Sequence, residues 1–349
     1  MQQKQTFSKH SIYDIMKKAR HQPRRFFIWK IVMGIKITPM IESDLERRKR
    51  MQLHFGKSGL LCRMAAVVLS VCLLTGIAKA AEQPGSATAA PTTDYLPVVM
   101  YHHFDPQPGT SKMIVSPTRF EEQMNALKQA GYTAVTPQQL VDYVDKGVAL
   151  PEKPIWITMD DGYRSNIEVA APILERNGFK ATVYCIGVSV GKSTYKNMGV
   201  PIIPHFSYEE AKPWSDKGVM TIQSHTYDMH NVSTLDTMGY RRGVLPRSGE
   251  PLEQYIDTFY TDFNKSNEGI RQGFGADSLS FAYPFGLHNA ITEGMLQAMG
   301  VRITVTIREG INTLVRGDAS SLYGMARFNI TEDMTGAQLL EKVREPVAS

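Results

Sequence analysis

"PIWITMDDGYRSN", Pro154 to Asn166, begins as an apolar, β-branched run and ends in two adjacent carboxylates and a glycine. The first half reads as a buried strand. At its mouth Asp160 and Asp161 repel each other and lose hydration, so the pair costs free energy unless a cation or a proton offsets it. Gly162 permits a tight exit that leaves both side chains near the sheet mouth. Read alone, the pair also fits a turn or a helix cap.

Around this stretch, strand-like and helix-like segments alternate from Leu96 onward. "LPVVMYHH", "IWITM", "KATVYCIG", "VMTIQSH", "SLSFAYPFG", "RITVTI" and "GMARFNI" read as strands. "TRFEEQMNALKQAGY", "SNIEVAAPILERNGF", "SYEEAKPWSDKG" and a long segment from Glu250 to Phe274 read as helices. Such alternation implies a single α/β domain with a parallel sheet covered by helices, and about seven strands predict a barrel. Active residues in such folds lie at the C-terminal ends of strands.

The formal net charge of +5 suggests an acidic partner until it is divided along the chain. Residues 1–80 hold 16 Lys and Arg against 4 acids, whereas residues 81–349 hold 23 against 30, a net of −7. The folding part is acidic, which removes the main support for nucleic-acid binding. Lys57 and Arg63, the apolar run Met64 to Ala78 and Ala78-Lys79-Ala80 before Ala81 have the layout of a secretory signal over 51–80. The run is shorter than the roughly 20 residues of a comfortable span, though an uncleaved leader would anchor the chain to a membrane. Residues 1–50 read as a basic extension or a misassigned start, 81–94 as a linker, and 95–349 as the folded domain. Of three cysteines only Cys185 lies beyond the leader, so no intrachain disulfide forms there, and its apolar neighbours predict a buried packing residue.

Two further strand ends carry chemistry. In "SHTYDMH", His225 ends a strand and His230 follows on the loop, so both imidazoles can converge on one point. With an aspartate they make the mixed N and O shell that suits Zn²⁺ or a similar transition metal, with coordination positions left open. In "SFAYPFG" a strand closes on aromatic-Pro-aromatic-Gly, which puts the Phe285 N–H at the sheet mouth. An ordinary proline turn has the same sequence.

"TMDDG", "SHTYDMH" and "FAYPFG", in this order and spacing, resemble the consecutive motifs of the polysaccharide deacetylases, carbohydrate esterase family 4, over roughly Leu96 to Ile330. The resemblance implies a deformed (β/α)7-type barrel. It also implies that Asp161, His225 and His230 bind a divalent metal, Zn²⁺ foremost with Co²⁺ or Ni²⁺ as alternatives, that Asp160 is the general base, and that the Phe285 amide helps hold the oxyanion. Two positions depart from the family pattern. The C-terminal "YGMARFNIT" lacks the histidine that usually serves as general acid. His102 in "VVMYHHF" is the candidate in its place, preferred over His103 by alignment of "YH", a layout similar to that of exported poly-β-1,6-N-acetylglucosamine deacetylases. Ala282 also stands where the family has an arginine that orients the base, and Arg327 is the expected substitute. Gly191 to Pro204 and Arg241 to Pro251 read as insertions on the active-site face.

These readings predict an exported, metal-dependent hydrolase that removes N-acetyl groups from an N-acetylglucosamine polysaccharide, with no nucleic-acid partner. Peptidoglycan or chitin-type chains, O-acetyl esters on the same site, and a non-catalytic carbohydrate-binding role are the alternatives.

Overall fold

The structure is a computed structural model that describes residues 93–236 and 240–344. The extension 1–50, the leader 51–80 and all but the last two residues of the linker lie outside the described residues. Among the described residues no helix is long and apolar enough to cross a membrane.

Eight strands make the main sheet: β1 (Val98–Tyr101), β2 (Thr133–Ala134), β3 (Pro154–Met159), β4 (Ala181–Cys185), β5 (Met220–Ser224), β6 (Ser280–Ala282), β7 (Ile303–Val305) and β8 (Phe328–Asn329). Seven follow the order β7-β6-β5-β4-β3-β1-β8, every pairing parallel, and β2 lies beside the N-terminal end of β3. Val305 also bridges Met325, where the Thr306 N–H donates to the Met325 carbonyl at 2.9 Å. The edge strand β7 is thereby tied to the segment that leads into β8, and the sheet curls back on itself as a barrel does. β3 is buried at all six positions, as the apolar run predicts for a strand covered on both faces.

The covering helices are α1 (Pro117–Gln129), α2 (Pro137–Lys146), α3 (Ala171–Asn177), α4 (Tyr208–Asp216), α5 (Leu252–Phe274), α6 (Ala290–Ala298) and α7 (Gly336–Val343). α1 starts on a Ser116 side-chain cap followed by proline and buries Phe120, Met124 and Leu127. Full burial of such side chains is worth roughly 1.5–3 kcal/mol each. α2, α6 and α7 were not among the sequence-read helices, although each starts on a reciprocal cap: Thr136 with Gln139, Asn289 with Thr292, and Thr335 with Gln338.

Two readings need correction. Thr93 and Asp94, read as linker, belong to a strand Thr93–Leu96 paired antiparallel with Asn312–Val315, because that backbone finds partners in the edge segment. "LPVVMYHH" is not one strand: β1 stops at Tyr101, and His103–Phe104 turns aside to pair with Ile114–Val115. His102 sits at the break. Cys185 is buried on β4, as expected.

Candidate active site

Asp160 and Asp161 follow β3, His225 follows β5, Phe285 follows β6, and His102 follows β1. All five therefore sit at C-terminal strand ends. The ladder continues into these residues: the Asp160 N–H donates to the Tyr101 carbonyl at 3.0 Å and the His225 N–H to the Cys185 carbonyl at 2.9 Å. The side chains are thus levelled by the sheet itself.

Backbone strain concentrates here. Among the described residues four non-glycines have positive φ, and three are Asp161 (70°), Thr226 (75°) and Phe285 (58°), one at each motif-bearing strand end. L-residues visit this region at a cost, and it persists where the surroundings over-determine it, commonly at functional sites. Gly162 follows with φ +81°, and a Cβ there would meet Cys185 Sγ at 2.9 Å. Only glycine fits that exit from β3.

Arg327 is fully buried and donates to both Asp160 oxygens at 2.7 Å, with its Nε–H on the Thr306 carbonyl at 2.8 Å. Burial by itself pushes Asp160 up, but Arg327 and His225 outweigh it, so the carboxyl lies well below the usual carboxylate range. It is an anion held in one orientation. The arginine that the strand before Pro284 lacks is supplied from the segment entering β8. Arg327→Met leaves Asp160 buried without its partner, and the expected cost is about 3–5 kcal/mol of stability in a denaturant titration. Arg327→Lys keeps the charge but loses the two-pronged contact, and kcat/KM for the reaction at this site should fall on the order of 10- to 100-fold. Unchanged kinetics in the lysine variant would reduce Arg327 to a packing residue.

Asp161 faces the other way. Its Oδ1 lies 3.6 Å from Nε2 of His225 and 3.6 Å from Nε2 of His230, and it is buried with no hydrogen-bond partner. Burial raises Asp161, but His230, His102 and His225 together lower it, so it too is an anion. Burial pushes His225 down to about 4 despite Asp160 nearby. The neutral ring donates Nδ1–H to the Ala282 carbonyl at 2.7 Å, which leaves the Nε2 lone pair turned to Asp161. The three ligand atoms lie within 4.8 Å of one another. One carboxylate oxygen and two imidazole nitrogens, one oxygen orphaned and buried, fit a divalent cation of the zinc type. The paired aspartates are thereby separated in role: one is bound by arginine, and the other is free to take a cation.

Phe285 is 41% exposed, and its ring lies 4.4 Å from that of His230. The two N-terminal histidines part company. His103 binds Ser165 Oγ at 2.8 Å and lies 3.8 Å from Asp105, whereas His102 lies near enough to Asp160 and Asp161 to help lower both. Nδ1 of His102 is buried without a partner, and its carbonyl accepts from Asn166 Nδ2 at 2.7 Å. Asn166 opens a π-helical turn, Asn166–Ala170, of a kind frequent at functional sites. His205, not singled out among the sequence-read site residues, is buried against Tyr163, with ring centroids 4.9 Å apart, and adjoins Asp161 and His230 electrostatically. Its only sequence signal was its place beside an insertion.

Both insertions touch the site. Thr194–Tyr195 pairs with Val200–Pro201, and Lys196 between them binds Asp228 at 2.9 Å, two residues before His230. In the second insertion Arg241 and Glu250 form a buried ion pair, and Gly243 packs so closely that a Cβ would meet the Pro284 carbonyl at 2.9 Å.

Residues 147–304 match the family described as polysaccharide deacetylase. The chain is 27% identical over 219 residues to a poly-β-1,6-N-acetyl-D-glucosamine N-deacetylase of Staphylococcus aureus, covering 63% of this chain and 68% of that one. Among solved structures, IcaB from Ammonifex degensii aligns with a TM-score of 0.57 at 24% identity, over 72% of this chain and 97% of that one. A de-N-acetylase from Aggregatibacter actinomycetemcomitans aligns at 0.61 and 22%, over 71% and 99%. Both show the same fold.

Proposed function

Since the chain carries a polysaccharide deacetylase domain, we propose that it hydrolyses the N-acetyl groups of a β-1,6-linked N-acetylglucosamine polymer, outside the cytoplasm and with a divalent metal. The observation that carries the reading is the split of the aspartate pair, with Asp160 clamped by Arg327 immediately beside the Asp161, His225 and His230 group. The substrate linkage is supported by the name of the staphylococcal relative and by the Tyr101-His102 pair, the last residue of β1 and the one after it. Export rests on the leader read over 51–80.

Asp161, His225 and His230 would hold the cation, which supplies Lewis-acid polarisation and acidifies water. Arg327 occupies one lone pair on each Asp160 oxygen, and a carboxylate has about four, so about two remain, one of which takes the proton of the attacking water. The C–O bond forms at the acetamide carbonyl, and the Phe285 N–H faces the oxyanion that develops there. His102 donates a proton to the nitrogen as the C–N bond breaks. Acetate leaves, and a free amine remains on the sugar.

The test uses residues 81–349 stripped by a chelator, then given Zn²⁺, Co²⁺ or Ni²⁺, with acetate release measured from β-1,6-linked N-acetylglucosamine oligomers. Activity should vanish with the chelator and return with metal, and chitin oligomers, peptidoglycan and acetylated xylan should be poorer substrates. Release from xylan alone would replace the amidase reading with an esterase. Silence on all four substrates from a metal-binding protein would leave a binding module.

A further inference from the structure

The loop between His225 and His230 bends through four residues, with Thr226, a β-branched residue, at φ +75°. Such a turn does not hold itself. On the β4 side, the Gly187 N–H donates to the Thr226 carbonyl at 3.0 Å and the Val188 N–H to the Tyr227 carbonyl at 2.8 Å. The backbone there comes close enough that a Cβ on Gly187 would meet Tyr227 Cδ2 at 2.7 Å. The other side is held by α5. Asp262 accepts the Tyr227 N–H at 2.8 Å on one oxygen and the Asp228 N–H at 2.7 Å on the other. One turn further along, Ser266 Oγ lies 2.8 Å from Ser224 Oγ, which in turn accepts the Thr226 N–H at 3.2 Å. Residues four apart share a helix face, so α5 presents one polar edge to this loop. Met229 completes the turn by donating to Thr226 Oγ1 at 3.2 Å.

We propose that Asp262 is a positioning residue for the two histidines: its carboxylate grips consecutive backbone N–H groups midway between them and fixes the distance and aim of their rings. The inference rests on the reading of Asp161, His225 and His230 as a cation site. Asp262 touches no ligand side chain and acts through the backbone alone. A carboxylate is the residue type for the task, since it is acceptor-only and each oxygen can meet one N–H. Asparagine would turn an NH₂ donor towards one of the two amides. The Asp262 carboxylate is also the wrong sign to be there for its own sake, with Asp228 nearby and burial pushing it up to about 6.

The experiment titrates the metal-free protein with Co²⁺ alone, recording affinity and the visible absorption band, for wild type, Asp262→Ala and Asp262→Asn. Loss of such a supporting contact should weaken Co²⁺ binding by about 10- to 100-fold in the alanine variant. The asparagine variant should fall between, and both bands should move from the wild-type position. Wild-type affinity and an unmoved band in both variants would overturn the proposal. Should Asp262→Ala fail to fold, Asp262→Asn decides by the same two readouts. If the wild-type protein takes up no Co²⁺, the cation reading itself fails. Asp262 is then judged by amide exchange at Tyr227 and Asp228, faster in Asp262→Asn if it holds them and unchanged if it does not.

Discussion

Asp160→Asn should lower kcat/KM for acetate release by about 10³- to 10⁴-fold while leaving Co²⁺ binding at one equivalent, because the change removes the proton acceptor and touches no proposed ligand. The substitution is close to isosteric, so Arg327 keeps one acceptor in the carbonyl of the new amide and loses the other. Some stability is forfeited with the charge pair, and a lower melting temperature is expected alongside the kinetic loss. The two effects separate in the metal titration. If Asp160 were instead a ligand, the variant would lose Co²⁺ affinity in step with activity. If it were only a structural anchor for Arg327, kcat/KM would recover when assays are run well below the new melting temperature. Retained turnover with retained metal would remove Asp160 as the base and with it the division of labour between the two aspartates.

From the residues alone that division was legible only as an oddity, two like charges at the mouth of a buried strand that call for compensation; separate roles for Asp160 and Asp161 came from the resemblance of the motif to the family's. The residues that compensate Asp161 stood in a recognisable pattern, because His225 and His230 follow one strand. Arg327 lies 167 positions from Asp160 in the chain; it was expected only as a stand-in for the arginine missing at Ala282, and the contact itself is made by the tertiary fold, in which β1 alone separates β3 from β8. The alternation of strands and helices was readable because β3 and β4 are mainly apolar runs and β5 alternates apolar with polar residues, while the helices between them repeat at helical spacing. α2, α6 and α7 were passed over although their reciprocal caps are visible as Thr-x-x-Gln or Asn-x-x-Thr. The edge pairing of Thr93–Leu96 had no such sign, since Thr93 and Asp94 look the same at the end of a linker and at the start of an edge strand. Left-handed backbone at Asp161, Thr226 and Phe285 has no sequence signature in non-glycine residues, and it recurs at all three motif-bearing strand ends.

His102→Ala should separate amides from esters. An amide nitrogen leaves only once protonated, whereas an aryl oxide leaves unaided, so the requirement for an acid depends on the substrate and not only on the enzyme. The expected loss is about 10²- to 10⁴-fold on an N-acetylglucosamine oligomer and far smaller on an aryl acetate, with Co²⁺ affinity unchanged. His103→Gln is the comparison, because His103 is already tied to Ser165 and lies beside Asp105 on the segment that turns away from β1. It should retain amide turnover. An equal loss on both substrates in His102→Ala would mean that the histidine supports the site without giving a proton to the leaving group. A loss confined to the amide in His103→Gln would move the acid to the neighbouring ring. The geometry favours His102 for a reason independent of alignment: β1 ends at Tyr101, the chain breaks direction, and the next side chain is set beside both carboxyls with its Nδ1 unpartnered, while Asn166 from the turn after Asp160 and Asp161 holds its carbonyl. The same short segment that presents the proposed base thus fixes the backbone of the proposed acid, and a shift in one would be felt by the other.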